Sequence, residues 1–258
     1  MTFRLLCVLA HPDDESLGTG GTLARYAAEG VETYLVTATR GERGRFGDSG
    51  EHPGPDVVGA AREAELRAAA GVLGIQEVMQ LGFPDGGLDA VDPTHAQNLI
   101  AAHLRRIKPH VVITFGPDGL YGHPDHIAIS QFTTAAVVRA AGSDGAVSKL
   151  YYIAWGAPTW AAYQKALKRL VTTVDGTERE AVPVPDWEIT TRIDTSAVWQ
   201  TVLSAVRCHR TQMSIFKNLE GLPPEHQRSL WGVQEYYRVL SLVNGGRARE
   251  TDLFEGLR

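Results

Sequence analysis

Two short segments of the sequence combine histidines and carboxylates at spacings that suit metal binding. The first, residues 10–15 (AHPDDE), directly follows an apolar run and contributes one imidazole and three carboxylates. Acidic side chains this close repel one another and resist burial unless a cation offsets their charge. His11 and Asp14 can converge on one ion as nitrogen and oxygen ligands, a combination that zinc accepts. Taken alone, the segment favours metal only modestly over a solvated loop whose aspartates cap a helix.

The second segment, residues 121–126 (YGHPDH), also follows an apolar run. A helix that begins at His126 would present this side chain to the same cleft as the first segment. His11, Asp14 and His126 then form three ligands and leave a fourth position for water, as in catalytic zinc sites. The same donors also suit iron, cobalt or manganese. Unrelated loop histidines are the weaker alternative, because both segments follow strands of one predicted sheet.

Strands and helices alternate along the first two thirds of the chain and place both segments. Apolar runs predict strands at residues 3–9, 31–38, 76–81, 111–115 and 150–155. Amphipathic patterns between them predict helices at residues 19–29, 56–73, 93–107 and 126–141. This alternation predicts an α/β fold with a mostly parallel sheet and right-handed crossovers. Ligands of such sheets bind beyond the carboxyl ends of strands, where both segments lie.

The remainder of the chain, from about residue 156, has a less regular pattern. We expect an edge or antiparallel strand within 182–193 and a helix over 195–210, capped by Thr195 or Ser196. Because no linker or repeat interrupts the pattern, we predict one domain, 1–258, with a C-terminal elaboration. The glycines at 18–21 fail the dinucleotide-binding fingerprint, whose third glycine would fall at Leu23, and we expect them to allow close helix packing.

The amino-acid composition and net charge indicate a globular protein and exclude several classes of partner. The 258 residues are 43% apolar and 21% charged, as in globular proteins. A net charge of −5 argues against non-specific binding to nucleic acid or anionic membranes. Two cysteines form no disulfide framework, and we expect both thiols to be free. Without a membrane span or a convincing signal peptide, we expect a cytoplasmic protein; a homo-oligomer stays open.

The two segments together resemble the LmbE-like, or PIG-L, superfamily of zinc-dependent N-deacetylases. The residues that match are 11–15 (HPDDE), 39–42 (TRGE), 62–63 (RE), 81–86 (LGFPDG), 123–126 (HPDH) and 209–212 (HRTQ). Members remove acetyl groups from N-acetylglucosamine units or cleave related amides. The resemblance implies a Rossmann-like three-layer sandwich with helices on both faces. It also implies one zinc ion held by His11, Asp14 and His126.

Amide hydrolysis needs an activated water, a stabilised oxyanion and a proton for the leaving amine. Asp13 is adjacent to a ligand but spare, so we predict that it is the general base. His123 is the candidate acid or oxyanion stabiliser, and Asp125 is expected to orient it through a ring N–H. Tyr121 either donates to the tetrahedral intermediate or packs. A protein that only binds metal or sugar would need neither Asp13 nor His123.

Further residues match family positions. Arg62 and Asp85 match positions that hold sugar hydroxyls. The alternatives are that Arg62 pairs with Glu63 or Glu65 on a solvated helix face and that Asp85 serves only its turn. Glu15 is interpreted as a structural hydrogen-bonding residue, and His209 as either a buried structural histidine or a site residue.

The resemblance thus implies a zinc-dependent hydrolase that deacetylates a small N-acetylglucosamine conjugate. The alternative is an amidase that cleaves a larger thiol-cofactor or glycoside conjugate. The polar segment 43–55 carries Arg43 and Arg45, which suit an anionic aglycone. Its glycines and prolines equally suit a mobile, solvated loop.

Overall fold

The computed structural model describes residues 2–48, 52–141, 146–167, 171–174, 176–246 and 248–258. Residues 49–51 of the segment 43–55 therefore lie outside the described part. The described strands, in chain order, are β1 (Arg4–Leu9), β2 (Glu32–Thr39), β3 (Glu77–Phe83), β4 (Val111–Thr114), β5 (Lys149–Ala154), β6 (Val171–Val174), β7 (Thr177–Glu180), β8 (Thr191–Asp194) and β9 (Val233–Ser241).

Seven strands form one sheet in the order β3-β2-β1-β4-β5-β9-β8, and β6 and β7 pair separately. The first five strands of this order run parallel, β9 is antiparallel to β5, and β8 is antiparallel to β9. From β1 the chain moves outward to β2 and β3, whereas after β4 it moves the other way. Such a reversal opens a crevice beyond the carboxyl ends of β1 and β4. The two histidine segments follow these two strands.

The helices lie on both faces of the sheet. They are α1 (Asp14–Ala28), α2 (Pro55–Leu73), α3 (Pro93–Ile107), the single turn α4 (Gly119–Gly122), α5 (Pro124–Ala140), α6 (Ala157–Leu167), α7 (Trp199–Val206), α8 (Met213–Glu220) and α9 (Pro224–Trp231). Helix α1 packs against α2 and α7, and α3 packs against α5. Right-handed crossovers place these two groups on opposite faces, which confirms the predicted three-layer α/β sandwich. Among the described helices, none is long and apolar enough to cross a membrane.

The central strands are buried on both faces, which explains their unbroken apolar runs. Every residue from Leu5 to Leu9 is fully buried, and β4 is buried along its whole length. Cys7 lies in this layer as a buried free thiol, and Cys208 is also free, as predicted.

The region after residue 156 joins the main fold. Strands β8 and β9 extend the sheet, so the antiparallel strand predicted within 182–193 is confirmed at Thr191–Asp194. Ile193, Tyr236 and Phe254 belong to the main core. A second apolar cluster forms around Trp160 and Trp231 beside it. The regular elements α6, α8, α9 and the β6–β7 hairpin lie where the sequence predicted none.

Three predicted helix starts are wrong by one to five residues. The first helix begins at Asp14 rather than at residue 19, because the acidic segment itself forms the first turn. The second begins at Pro55 rather than at residue 56, with Gly54 as its N-cap, and the helix predicted from residue 126 begins at Pro124. Proline suits the first position of a helix, because its missing N–H would have no intrahelical partner there.

The helix predicted over 195–210 is shorter, Trp199–Val206, and its N-cap is Val198. Thr195 does not cap it, because the buried Thr195 hydroxyl donates to the Trp231 carbonyl, 2.5 Å away. The chain then leaves the helix before His209, which starts a separate 3-10 turn at Arg210–Gln212. This difference moves His209 off the helix and towards α1.

Candidate metal centre and active site

Three side chains at the ends of β1 and β4 bring nitrogen and oxygen donors together. His11 Nδ1 lies 3.6 Å from Asp14 Oδ2 and 3.3 Å from His126 Nε2, and His126 Nε2 lies 3.5 Å from Asp14 Oδ1. With metal–ligand bonds of about 2.0–2.1 Å, two ligands of a tetrahedral zinc ion lie about 3.3 Å apart. The three predicted ligands therefore form a group that could hold a metal ion of this size.

Local structure aims each of these donors. The His11 backbone N–H donates to Asp14 Oδ2 at 2.7 Å, which ties the loop after β1 to the first turn of α1. His126 lies in the first turn of α5, and its ring stacks on Phe115 at 3.9 Å between centroids. His126 Nδ1 faces the Gly119 carbonyl at 3.3 Å, which directs Nε2 towards the ligand group.

The other edge of the His11 ring faces two carboxylates. His11 Nε2 lies 3.1 Å from Asp125 Oδ2 and 3.3 Å from Asp85 Oδ1. A proton on Nε2 satisfies both, and Nδ1 is then left as a lone-pair donor for a metal. These two carboxylates therefore fix the His11 tautomer that a ligand requires.

The Asp125 carboxylate is not placed as the sequence suggested. It accepts from the Gly86 N–H at 2.7 Å and the Leu88 N–H at 3.0 Å, besides facing His11. Its predicted contact with a His123 ring N–H is wrong. The Asp125 backbone N–H donates to His123 Nδ1 at 3.2 Å instead, because His123 caps α5.

His123 and Tyr121 both line the cleft over the ligand group. Since His123 Nδ1 accepts from a backbone N–H, a neutral ring carries its proton on Nε2. Burial and the neighbouring His11 lower the pKa of His123, which favours this neutral form. The Tyr121 ring lies 5.9 Å from the His123 ring, edge to face. The cleft therefore contains an imidazole N–H donor beside a phenol.

Asp13 lies beside the ligands with its side chain 16% exposed, but it belongs to neither group of possible ligands. Its backbone lies at φ 110°, ψ −26°, a left-handed conformation that a non-glycine residue rarely adopts. Such strain costs about 1–3 kcal/mol and persists only where surrounding contacts fix it. Burial raises the pKa of Asp13 to about 6, against the opposing effect of the Arg62 guanidinium.

Arg62 is 4% exposed, so the alternative of a solvated pair with Glu63 or Glu65 is wrong. Its Nη2 donates to Asp13 Oδ2 at 3.1 Å and to the Pro12 carbonyl, and its Nη1 donates to the Gly41 carbonyl at 2.8 Å. Gly41 lies at φ 65°, and a Cβ there would overlap the guanidinium. The glycine therefore makes room for an arginine that holds the Asp13 carboxylate.

The pKa values of Asp14 and His126 are both lowered, but for different reasons. Burial works to raise the pKa of Asp14, but the His126 and His11 imidazoles hold it well below its ordinary range. Burial lowers the pKa of His126 to about 3, so this ring is neutral and able to ligate. Burial also acts to lower the pKa of His11, but hydrogen bonds with Asp125, Asp14 and Asp85 raise it well above its usual value. The site thus favours a positive charge among its carboxylates.

The ligand group lies at the floor of a cleft of about 680 Å³. Arg43 and Arg45, both largely exposed, form part of the wall of this cleft, and Trp155 and Phe216 also line it. Asp85 is 7% exposed and accepts from the Arg43 backbone N–H at 2.9 Å, so it also ties the Arg43 wall to His11. Trp155 lines the cleft and stacks on Tyr163 at 4.2 Å, while Trp160 is buried behind it.

Glu15 and His209 form a contact that the sequence pattern did not reveal, although Glu15 was correctly interpreted as a hydrogen-bonding residue. Both are fully buried, and His209 Nε2 lies 2.7 Å from Glu15 Oε1. Burial acts against both charges, but each partner offsets it: the pKa of Glu15 is lowered and that of His209 is raised. The signal available in sequence was only the motif at 209–212.

The rest of that motif anchors the wall of the cleft. Thr211 donates to the Glu65 carboxylate of α2 through its N–H at 2.9 Å and its hydroxyl at 2.8 Å. Gln212 Nε2 donates to the Arg45 carbonyl at 2.7 Å, and the Thr211 carbonyl accepts from the Gly47 N–H at 2.8 Å. The turn after α7 therefore joins α1, α2 and the loop that carries Arg45.

Comparison with known proteins gives a consistent relationship. A family model described as GlcNAc-PI de-N-acetylase, PIG-L, matches residues 6–137. A 1D-myo-inositol 2-acetamido-2-deoxy-alpha-D-glucopyranoside deacetylase from Kineococcus radiotolerans is 36% identical, over 98% of this chain and 83% of its own length. The enzyme of the same name from Rhodococcus opacus is 35% identical, over 98% of both chains.

Among solved structures, a conserved protein from Thermus thermophilus aligns with a TM-score of 0.64 and 27% identity. The alignment covers 96% of this chain and all of that one. N,N'-diacetylchitobiose deacetylase from Pyrococcus horikoshii shares the fold with a TM-score of 0.65 and 19% identity, over 92% and 83% of the two chains. The family match spans half of the chain and the curated relatives span nearly all of it, so this chain belongs to the PIG-L family of de-N-acetylases.

Proposed function

We propose that this protein is a zinc-dependent N-deacetylase of a small N-acetylglucosamine conjugate. The observation that carries the proposal is a half-buried, spare carboxylate, Asp13, next to a complete ligand group in an open cleft. Binding of a metal or a sugar alone would need no such group. The relatives from Kineococcus radiotolerans and Rhodococcus opacus are named as deacetylases of an N-acetylglucosamine–inositol conjugate, which supports the same substrate class.

Zinc fits the donor set, because two imidazoles and one carboxylate at tetrahedral separations leave a fourth position for water or substrate. His11, Asp14 and His126 would hold it. When bound, zinc supplies Lewis acidity towards a carbonyl oxygen and lowers the pKa of water.

The side chains around this group carry out the proton transfers and stabilise the negative charge of the intermediate. Asp13 accepts the proton of the attacking water, while Arg62 donates to its Oδ2 and leaves Oδ1 free of that hydrogen bond. His123 donates its Nε2–H to the oxygen that becomes negative in the tetrahedral intermediate. Tyr121 adds a second donor to the same oxygen. The proton on Asp13 then passes to the nitrogen of the leaving amine, which releases acetate and the free amino sugar.

Arg62 and Asp85 keep the substrate-binding role that the family positions predict, but both also serve the protein. Arg62 restrains Asp13, and Asp85 faces His11. A sugar hydroxyl would therefore meet groups that are already held by hydrogen bonds. Fixed donors and acceptors lose little entropy when a ligand binds, which suits selection of one sugar orientation.

The cleft also accommodates a group larger than one sugar ring. The aromatic side chains of Trp155 and Phe216 line it, as do the exposed Arg43 and Arg45. A cleft of this size also suits the second candidate function, an amidase that cleaves a larger conjugate. The two candidates differ in which side of the amide is bulky, and the chemistry at the metal group is the same.

A substrate panel tests the proposal. Zinc-loaded protein is incubated with N-acetylglucosamine, its α-inositol conjugate, diacetylchitobiose and a bulky N-acyl analogue, and free amine and acetate are measured. We expect stoichiometric acetate and amine from the inositol conjugate. The Asp13→Asn variant should retain zinc and lose about 10²–10⁴-fold in kcat, as loss of a general base does. Amine release only from the bulky amide would favour the amidase, and full activity of Asp13→Asn would overturn the role of Asp13.

A further inference from the structure

The third carboxylate of the first segment, Glu15, does not face the metal group. It is fully buried and points back into the protein from the first turn of α1. Its Oε2 accepts from the Asp13 backbone N–H at 2.9 Å. Its Oε1 accepts from the Ser16 hydroxyl at 2.5 Å and faces His209 Nε2 at 2.7 Å. One carboxylate thus links the Asp13 backbone to the C-terminal third of the chain.

The contact matters because of the conformation of Asp13. A left-handed backbone at a non-glycine residue reverts to a common conformation unless neighbouring groups hold it. Three sets of contacts restrain this residue. Arg62 holds its carboxylate and the preceding carbonyl of Pro12, Glu15 holds its N–H, and the Ser16 and Leu17 N–H groups hold its carbonyl. Release of the Glu15 contact would free the peptide between Pro12 and Asp13 to rotate and would move the carboxylate relative to the ligands.

His209 is the group that fixes the Glu15 carboxylate. A fully buried carboxylate is held firmly only when its oxygens are hydrogen-bonded or paired. His209 supplies this partner from outside α1, since Ser16 belongs to the same turn as Glu15. The His209 ring has no further partner at Nδ1 among the described residues, so Glu15 and Ser16 are its polar contacts.

We propose that His209, acting through Glu15, is a positioning residue that holds Asp13 in its working conformation. The proposal rests on the proposed function, because it assigns a role relative to Asp13 as the base. It extends the active site into the turn after α7, a region distant in sequence from both histidine segments. Among the described contacts His209 touches neither the ligand group nor the open cleft, so its hydrogen-bonding connection to Asp13 runs through Glu15.

Two substitutions at His209 distinguish the role of its hydrogen bond to Glu15 from the role of the imidazole ring itself, because both remove the ring and only one keeps the hydrogen bond. Glutamine places an amide N–H close to the position of the histidine Nε2, whereas asparagine is too short to reach Glu15. We expect His209→Gln to keep kcat within about threefold, and His209→Asn to lower it at least about tenfold, since misplacement by about 1 Å costs up to 10²-fold. In both variants KM and zinc content, measured by elemental analysis, should stay within about twofold of the parent protein.

Glu250→Gln is the matched control for general destabilisation. Glu250 is also a buried carboxylate, paired with Lys149 at 2.7 Å, but at the opposite edge of the sheet. We expect this variant to unfold at a lower temperature while kcat per folded molecule stays within about twofold of the parent. If Glu250→Gln lowers kcat as much as His209→Asn does, the effect is one of stability and the proposal is overturned.

Combining Glu15→Gln with Asp13→Asn tests whether the loss of kcat depends on Asp13. This experiment does not need His209→Asn, so it remains informative if that variant folds poorly. Glu15→Gln should lower kcat at least about tenfold in the parent protein, but should not lower the residual kcat of Asp13→Asn further, because residues that act as a unit are not additive. An equal loss in both backgrounds would overturn the proposal. So would a normal kcat for His209→Asn or Glu15→Gln. Failure of the parent protein to release acetate would refute the proposed function itself, which keeps the two outcomes distinct.

Discussion

Asp13 and Asp14 are adjacent in the chain, yet their surroundings give them opposite properties. Asp14 faces two imidazoles that hold its pKa well below the ordinary range, so it stays ionised as a ligand must. Asp13 faces a single guanidinium, and burial raises its pKa to about 6. A carboxyl group with a pKa near the working pH exchanges protons more effectively than a strongly acidic one. One dipeptide thus contains both the proposed ligand and the proposed base.

Metal affinity should decrease in a graded series of aspartate variants. Asp14→Ala removes a ligand, Asp125→Asn removes a carboxylate that fixes His11, and Asp56→Ala removes an exposed carboxylate on α2. We expect zinc binding, measured by competition with a chelator, to weaken about 10–100-fold in Asp125→Asn and further in Asp14→Ala, as for other supporting carboxylates. Asp56→Ala should bind zinc normally. Normal affinity in Asp14→Ala would contradict the ligand assignment.

His123 has two separable roles, at the helix terminus and in the cleft. His123→Asn keeps an acceptor for the Asp125 N–H but removes the imidazole Nε2–H, whereas His123→Ala removes both. We expect both variants to lose about 10²–10³-fold in kcat, as loss of one oxyanion donor does. Only His123→Ala should also lose about 1 kcal/mol of stability, the usual value of an N-cap. Equal melting temperatures of the two variants would show that the cap adds no stability.

At the scale of elements, helix α1 combines two functions along its length. Its first turn holds Asp14 and Glu15, and its next turns place glycines against the C-terminal region. A Cβ at Gly20 would lie 3.2 Å from Val202 of α7, and one at Gly21 would lie 2.7 Å from the Thr195 side chain. The glycines therefore permit the close packing that the sequence predicted. This packing also brings the turn with His209 within reach of Glu15.

Two helical glycines should respond in opposite ways to alanine. Gly21→Ala inserts a methyl group where Thr195 leaves no room, so we expect a loss of about 1–3 kcal/mol in the free energy of unfolding. Gly71 in α2 is exposed, with no atom within 4 Å of an added Cβ. Gly71→Ala should therefore gain up to about 1 kcal/mol from helix propensity. Chemical denaturation measures both, and a stabilising Gly21→Ala would disprove the close contact.

At the scale of the whole molecule, a buried ionic network at the amino-terminal edge of the sheet ties the end of the chain to its centre. Glu250 accepts from Lys149 Nζ, Tyr151 Oη and Thr191 Oγ1 at 2.7–2.8 Å. Lys149 is itself fully buried, in the first position of β5. The network lies at the amino-terminal ends of the parallel strands, and the metal group lies at their carboxyl ends. The buried ion pair that stabilises the fold is therefore separate from the candidate active site.

This network predicts a loss of stability in acid. Burial alone would raise the pKa of Glu250, but bonds from Lys149, Asn244, Tyr151 and Thr191 lower it from 4.5 to about 2. The stabilisation is complete above pH 4.5 and declines as the pH falls towards 2, because the unfolded chain then binds the proton first. Glu250→Gln should lose about 3 kcal/mol or more at pH 7, since Lys149 is left buried without its partner. Thermal melts should show a smaller difference from the parent at pH 3 than at pH 7.

The sequence by itself determined the α/β class and the strands that carry both histidine segments, and it predicted the proposed ligand set. Local signals suffice for these features: apolar runs define the central strands, and histidines and aspartates at their carboxyl ends meet wherever the sheet order reverses. Asp13 was predicted as the base because it is adjacent to the predicted ligand Asp14 but is not needed as a ligand itself. The C-terminal third gave weaker signals, because β9 and the short helices α6, α8 and α9 depend on packing against the main core.

Only the tertiary structure decided how the supporting groups are connected. Arg62 proved to restrain Asp13, and Asp125 proved to face His11 rather than His123. The Glu15–His209 contact joins residues 194 positions apart. No periodicity encodes such contacts, because they depend on the direction in which a buried side chain points after the sheet and its two helix layers have packed. The residues of the site were therefore visible in the sequence, while the hydrogen bonds that give them their roles arise from the fold.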